Sequence, residues 1–272
     1  MVPNARVRVC PVCGVLLDPS DTRCFQCGDA ITSTPSSSLF SWARKHIPLQ
    51  GEITSGILLA NVSLFLLTWL LSKDKGILMS VDMQVLDRFG AKDTALILGH
   101  GEWWRLILSA FLHANFMHIF FNMMVLVSLG RAVEEFYGWE RYLFFYVVSA
   151  IFADLASMWM HPQYLGIGAS GAIMGLAGVL LAYSVRNWSS YGRVMGKGLL
   201  RWIGSILLIG FVLGSFVDNA AHIGGLIAGF LIALPFPAGR AKGTGQKFLD
   251  IILGWGSLFL IGYSFLLMAL AR

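Results

Sequence analysis

Seven apolar runs of roughly twenty residues, the length that crosses about 30 Å of hydrocarbon, govern what this chain can become. They cover approximately residues 53–72, 104–129, 141–160, 170–185, 199–217, 219–236 and 248–270. A backbone in lipid has to satisfy its own N–H and C=O groups, so successive runs of this kind dictate a bundle of transmembrane helices. Composition agrees, because 56% of the 272 residues are hydrophobic, 13% are charged and the mean hydropathy is +0.69. Those values exclude an ordinary soluble domain. The formal charge of +5 calls for no nucleic acid, since the basic residues gather between apolar runs, where orientation in a membrane explains them. The expected class is an all-α polytopic membrane protein in contact with the lipid bilayer.

Orientation follows from lysine and arginine. Arg44 and Lys45 precede the first run, Arg131 and Arg141 follow the second, Arg186, Arg193, Lys197 and Arg201 follow the fourth, and Arg240, Lys242 and Lys247 follow the sixth. Positive segments stay inside, so the N-terminus is expected in the cytoplasm and the C-terminus outside, with the plasma membrane as the expected location. The first thirty residues contain cysteines, prolines and charges instead of the apolar core of a cleavable signal peptide.

All four cysteines fall in that opening stretch, as Cys10-x-x-Cys13 and Cys24-x-x-Cys27. Two such pairs resemble the knuckles of a zinc ribbon, with four thiolates closing a tetrahedral structural site for Zn2+. Redox pairs or disulfides are the competing readings, and a cytoplasmic N-terminus, where thiols stay reduced, favours zinc. Residues 1–30 are therefore expected to form a small cytoplasmic domain whose folding free energy comes mostly from the metal. It is also the place for a cytoplasmic partner. Residues 31–50 read as a flexible Ser/Pro-rich linker turning basic at the membrane surface, and residues 51–272 as the membrane domain.

Within that domain a few polar side chains stand out. Ser170 lies in Gly168-Ala169-Ser170-Gly171, at the start of an apolar helix whose free N–H groups and positive dipole end could hold an oxyanion. The plainer reading is a helix cap. His222, in Ala221-His222-Ile223-Gly224-Gly225, sits well inside another run, where ionisable groups are costly and usually functional. Gly171 and Gly175 after the serine, and Gly225 and Gly229 after the histidine, recur every four positions and allow two helices to approach closely. His118 and Asn122 share one face of the second run, five residues beyond His113. They could donate to a reacting oxygen or simply bond helices together. Asp154 lies inside the third run and needs a partner that the pattern does not name.

The ordered set of GxSG, AHxxGxxxG and an earlier His-x-x-x-Asn resembles the rhomboid intramembrane serine proteases. That resemblance implies six core transmembrane helices, here followed by one more, and peptide hydrolysis by a Ser170–His222 dyad without a cofactor. It also implies an oxyanion site at His118 and Asn122 supported by His113 and Gly168, a structural role for Glu134, and transmembrane proteins as substrates. Glu102-Trp103-Trp104-Arg105 matches the family's first-loop Trp-Arg motif, although interfacial anchoring accounts for the same residues. Met174 stands where some relatives place a tyrosine against the histidine ring. Asp218, one turn before His222, could orient the imidazole, but the family works as a dyad. A catalytically inactive relative that binds and guides transmembrane clients is the alternative.

Overall fold

The computed structural model describes residues 8–9, 16–17, 21–23, 52–76, 78–187, 189–214, 217–239 and 243–271. The chain forms two compact units, Met1–Leu49 and Gln50–Arg272. In the first, β1 (Arg8–Val9) pairs antiparallel with β2 (Leu16–Leu17), Arg8 opposite Leu17 and Val9 opposite Leu16. Cys10, Cys13, Cys24 and Cys27, and the linker at 31–50, lie outside the described residues.

The second unit is helical. In chain order it contains α1 (Glu52–Leu71), α2 (Met83–Arg88), α3 (Thr94–His100), α4 (Arg105–Leu108), α5 (Phe116–Tyr137), α6 (Trp139–Met160), α7 (Ser170–Arg186), α8 (Ser190–Leu213), α9 (Asn219–Ala233) and α10 (Thr244–Leu270). Among the described residues five helices, α1, α5, α6, α8 and α10, are long and apolar enough to cross a membrane, and α7 and α9 are shorter apolar helices. This is a multi-pass membrane bundle.

The expected run at 104–129 is broken. Helix α4 and a 3-10 turn over Ser109–Phe111 end at Leu112, whose ψ of 144° is extended, and α5 starts only at Phe116. Asn115 makes the break by capping α5, its side chain accepting from the His118 N–H. Non-helical backbone in a membrane domain is tolerated when protein surrounds it, and Phe111, Leu112 and His113 are all buried. The run at 199–217 also shifts, because Ser189 caps a helix that begins at Ser190. Arg193, Lys197 and Arg201 therefore lie on helix α8 and not in a loop.

Helix α7 forms the centre, with α5, α6, α8 and α9 packed around it. Its sequence of small and branched side chains suits that place, and the buried set includes Gly171, Gly175, Gly178, Leu176, Val179 and Leu180. Polar residues on the buried face of α1 donate back to their own helix: Asn61 Nδ2 to the Ile57 carbonyl at 2.7 Å and Thr68 Oγ1 to that of Leu64 at 2.9 Å. Glu134 of α5 caps α1 from across the bundle, accepting from Ile53 N, Thr54 N and Thr54 Oγ1 at 3.1, 3.1 and 2.7 Å. Helix α10 is tied to α6 by a buried ion pair, Arg141 Nε to Asp250 Oδ1 at 2.8 Å, and Arg141 Nη1 also donates to the Pro237 carbonyl at 2.7 Å.

Candidate active site

Ser170 is the first residue of α7, and the cap position falls on Ala169, which makes no side-chain cap. Among the described residues no hydrogen bond engages the Ser170 hydroxyl, so the helix-cap reading is not what the structure shows. The chain enters this helix through Gly168, with φ +115°, a conformation that L side chains rarely adopt. Gly168 N–H donates to the Ser109 carbonyl at 2.9 Å, which fixes the loop just before the serine. The first N–H groups of α7 have no intrahelical acceptor and carry the positive end of the helix dipole.

His222 lies in the first turn of α9, only 5% exposed. Helices α7 and α9 touch through glycine: a Cβ at Gly225 would overlap the Gly171 carbonyl, one at Gly229 the Gly175 carbonyl, and one at Gly178 the Leu226 carbonyl. At the serine end the same seam brings Gly171 against Ala221, where a Cβ at Gly171 would lie 3.7 Å from the Ala221 oxygen. Ser170 and His222 are the immediate chain neighbours of that contacting pair. Gly224 does a job that spacing did not single out, since a Cβ there would come within 2.9 Å of the Phe152 carbonyl on α6.

Asp218 does not complete a triad. It caps α9 by accepting from Ala221 N at 3.0 Å, and its other oxygen accepts from Ser157 Oγ. His222 Nδ1 is buried and, among the described residues, has no hydrogen-bond partner.

A second imidazole reaches the loop before Ser170. His118 Nδ1 accepts from the Ala114 N–H at 3.4 Å, which leaves the proton of a neutral ring on Nε2. That Nε2 would be 2.7 Å from a Cβ at Gly168, so a donor sits directly on the glycine turn. Asn122 Nδ2 donates to the His118 carbonyl at 2.9 Å, keeping one turn of α5 rigid beneath the ring. His113 is buried behind it, with ring centroids 5.0 Å apart at 66°. Met174 is buried in the core.

Around this region the structure supplies partners and roles that the sequence did not give. Asp154 has its partner in Ser109, whose Oγ donates at 2.6 Å, and Ser109 carried no signal of its own. Lys92 reads as an ordinary loop charge, yet it is fully buried. The pair Trp103–Trp104 divides its labour, Trp103 being exposed and Trp104 buried beneath Gly90. Arg105 is a buried loop organiser instead of an interfacial anchor. It binds Glu102 Oε2 at 2.6 Å, Asp87 Oδ1 at 3.0 Å and the Asp87 and Ala91 carbonyls at 2.7 and 2.8 Å. The hint for Arg105 was the adjacent Glu-Trp-Trp, whereas nothing local marked Lys92.

The model of the Rhomboid domain matches residues 100–238, about half of the chain, including every helix from α4 to α9. The chain belongs to the rhomboid family. This rhomboid is 38% identical over 64% of its length to the rhomboid protease GluP of Bacillus subtilis, covering 34% of that protein. It is 34% identical over 56% of its length to RHOMBOID-like protein 1 of Arabidopsis thaliana and over 55% to Rhomboid-like protease 1 of Toxoplasma gondii. The matched stretches span 39% and 52% of those two proteins, so the likeness covers about half of their length or less.

Proposed function

We propose that this rhomboid is an intramembrane serine endopeptidase that hydrolyses peptide bonds in or beside the transmembrane helices of other membrane proteins. The observation that supports it best is the convergence on one loop: His118 Nε2 against Gly168 and the Gly171–Ala221 contact between the helices that begin at Ser170 and just before His222. Ser170 Oγ attacks the scissile carbonyl while His222 takes its proton, and the same imidazole then protonates the leaving amine. Water attacks the resulting ester, again through His222, and the hydroxyl is restored. Negative charge on the tetrahedral oxygen is met by N–H groups at the start of α7 and by donors on His118 and Asn122. Family likeness adds that the substrates are single-span proteins cut near the outer face, with a small residue before the cut. Cleavage of a generic transmembrane substrate by the purified protein in detergent tests the assignment. It should vanish in Ser170→Ala and in His222→Ala, and cleavage that survives both removes the dyad.

The cysteine-rich start is proposed as a cytoplasmic zinc ribbon acting in recruitment, regulation or stability. The spacing supports this, since Cys10-x-x-Cys13 and Cys24-x-x-Cys27 offer four thiolates in two close pairs, a donor set that suits a tetrahedral metal. Elemental analysis should find one zinc per chain. Deleting residues 1–35 should abolish that zinc and leave cleavage of the generic substrate intact.

A further inference from the structure

Loop 73–103 carries one charged side chain that the fold has taken out of solvent. Lys92 is 0% exposed, and its backbone pairs both ways with Gly166, N to O at 2.8 Å and O to N at 3.0 Å. Its Nζ donates to the Tyr164 carbonyl at 2.6 Å. Tyr164 and Gly166 belong to the segment that leads into Ser170. A buried ammonium is expensive unless it is paired. Burial lowers the Lys92 pKa, while the carboxylates of Asp154 on α6, Asp218 at the start of α9 and Asp93 next in sequence raise it again.

Asp154 links this lysine to the same segment by a second route. A Cβ at Gly166 would lie 2.7 Å from Lys92 Cε and 3.6 Å from Asp154 Oδ1, so stem and carboxylate flank one glycine. The other oxygen, Asp154 Oδ2, accepts from Ser109 Oγ, and the Ser109 carbonyl accepts from Gly168 N–H. Three successive alternate positions, Tyr164, Gly166 and Gly168, are thus held from below by Lys92 and Ser109, with Asp154 between them.

We propose that Lys92 is a positioning residue for cleavage: by gripping the Tyr164–Gly168 segment it holds Ser170 in line and keeps Gly168 beneath His118. The proposal rests on the protease reading above. A lysine that merely stabilised the fold would change the fraction of folded molecules and leave the rate of each unchanged. A positioning lysine changes that rate, and does so in kcat, because a transmembrane substrate binds over a much larger surface than this loop.

The test uses the full chain in detergent, with kcat and KM on a transmembrane peptide and the rate at which a fluorophosphonate labels Ser170, all per folded molecule. Lys92→Met keeps the stem and removes the charge. Gly166→Ala keeps every charge and forces the stem aside, and Gly166 lies outside the left-handed region, so its backbone accepts alanine. Both variants should lower kcat about 10- to 100-fold, as misplacement of a reacting group by about 1 Å does, with KM little changed and labelling slowed in parallel. Unchanged kcat and labelling in either folded variant overturns the proposal, and if Lys92→Met does not fold, Gly166→Ala decides alone. Absence of Ser170-dependent cleavage and labelling in the unmutated protein would instead take down the protease reading, and this inference with it.

Discussion

At the level of single residues, the site depends on a donor resting on a glycine. His118→Ala removes the Nε2 that lies 2.7 Å from the Gly168 Cβ position and leaves the helix bonds of α5 in place. It should lower kcat by the equivalent of about 3 kcal/mol, the usual loss for one oxyanion donor, with little change in melting temperature. Asp218→Ala should behave in the opposite way. Losing its cap on Ala221 N should cost about 1 kcal/mol of stability, while turnover per folded molecule stays within a few-fold because His222 Nδ1 does not bond it. A drop in turnover of about four orders of magnitude, as in a true triad, would falsify the dyad. The residues named here were legible because Ser, His and Asn are conspicuous in apolar runs. Ser109 and Lys92 were not, because one is small and unremarkable and the other sits in a charged loop, and each finds its role only through a partner 45 or 72 residues away.

Secondary-structure elements were readable wherever hydrophobic length alone decides, and misread where a cap intervenes. Asn115 and Ser189 each move a helix start through one side-chain hydrogen bond, and no hydrophobicity count registers that. The short length of α7 was legible, since Arg186 ends its apolar run. The cap that Glu134 places on α1 gives a prediction at this scale. Glu134→Ala strands the Ile53 and Thr54 N–H groups at the start of a helix that must lie in lipid, and charged caps with three acceptor contacts should be worth about 2–4 kcal/mol. Thermal unfolding in detergent should show that loss, and fluorophosphonate labelling of the folded remainder should proceed at the normal rate.

For the whole molecule, the question is what fastens the last helix, α10, to the helices that precede it. The sequence shows a seventh apolar run but not its neighbour, because a lipid-facing helix and a docked one have similar composition. The answer lies in Arg141 and Asp250, buried together between α6 and α10. Asp250→Ala leaves a guanidinium unpaired in the bundle and should destabilise it by about 3–5 kcal/mol, whereas Arg141→Met combined with Asp250→Leu should recover most of that. Denaturation of the two variants in the same detergent measures the difference, and equal stabilities would mean that apolar contact alone holds α10.

The central position of α7 has an effect on how the surroundings act on the chemistry. Its neighbours α5, α6, α8 and α9 form a sleeve, leaving the helix that begins at Ser170 little direct contact with acyl chains. Changes in lipid saturation or viscosity therefore act first on the outer helices, and reach the serine only as far as those helices pass them inward.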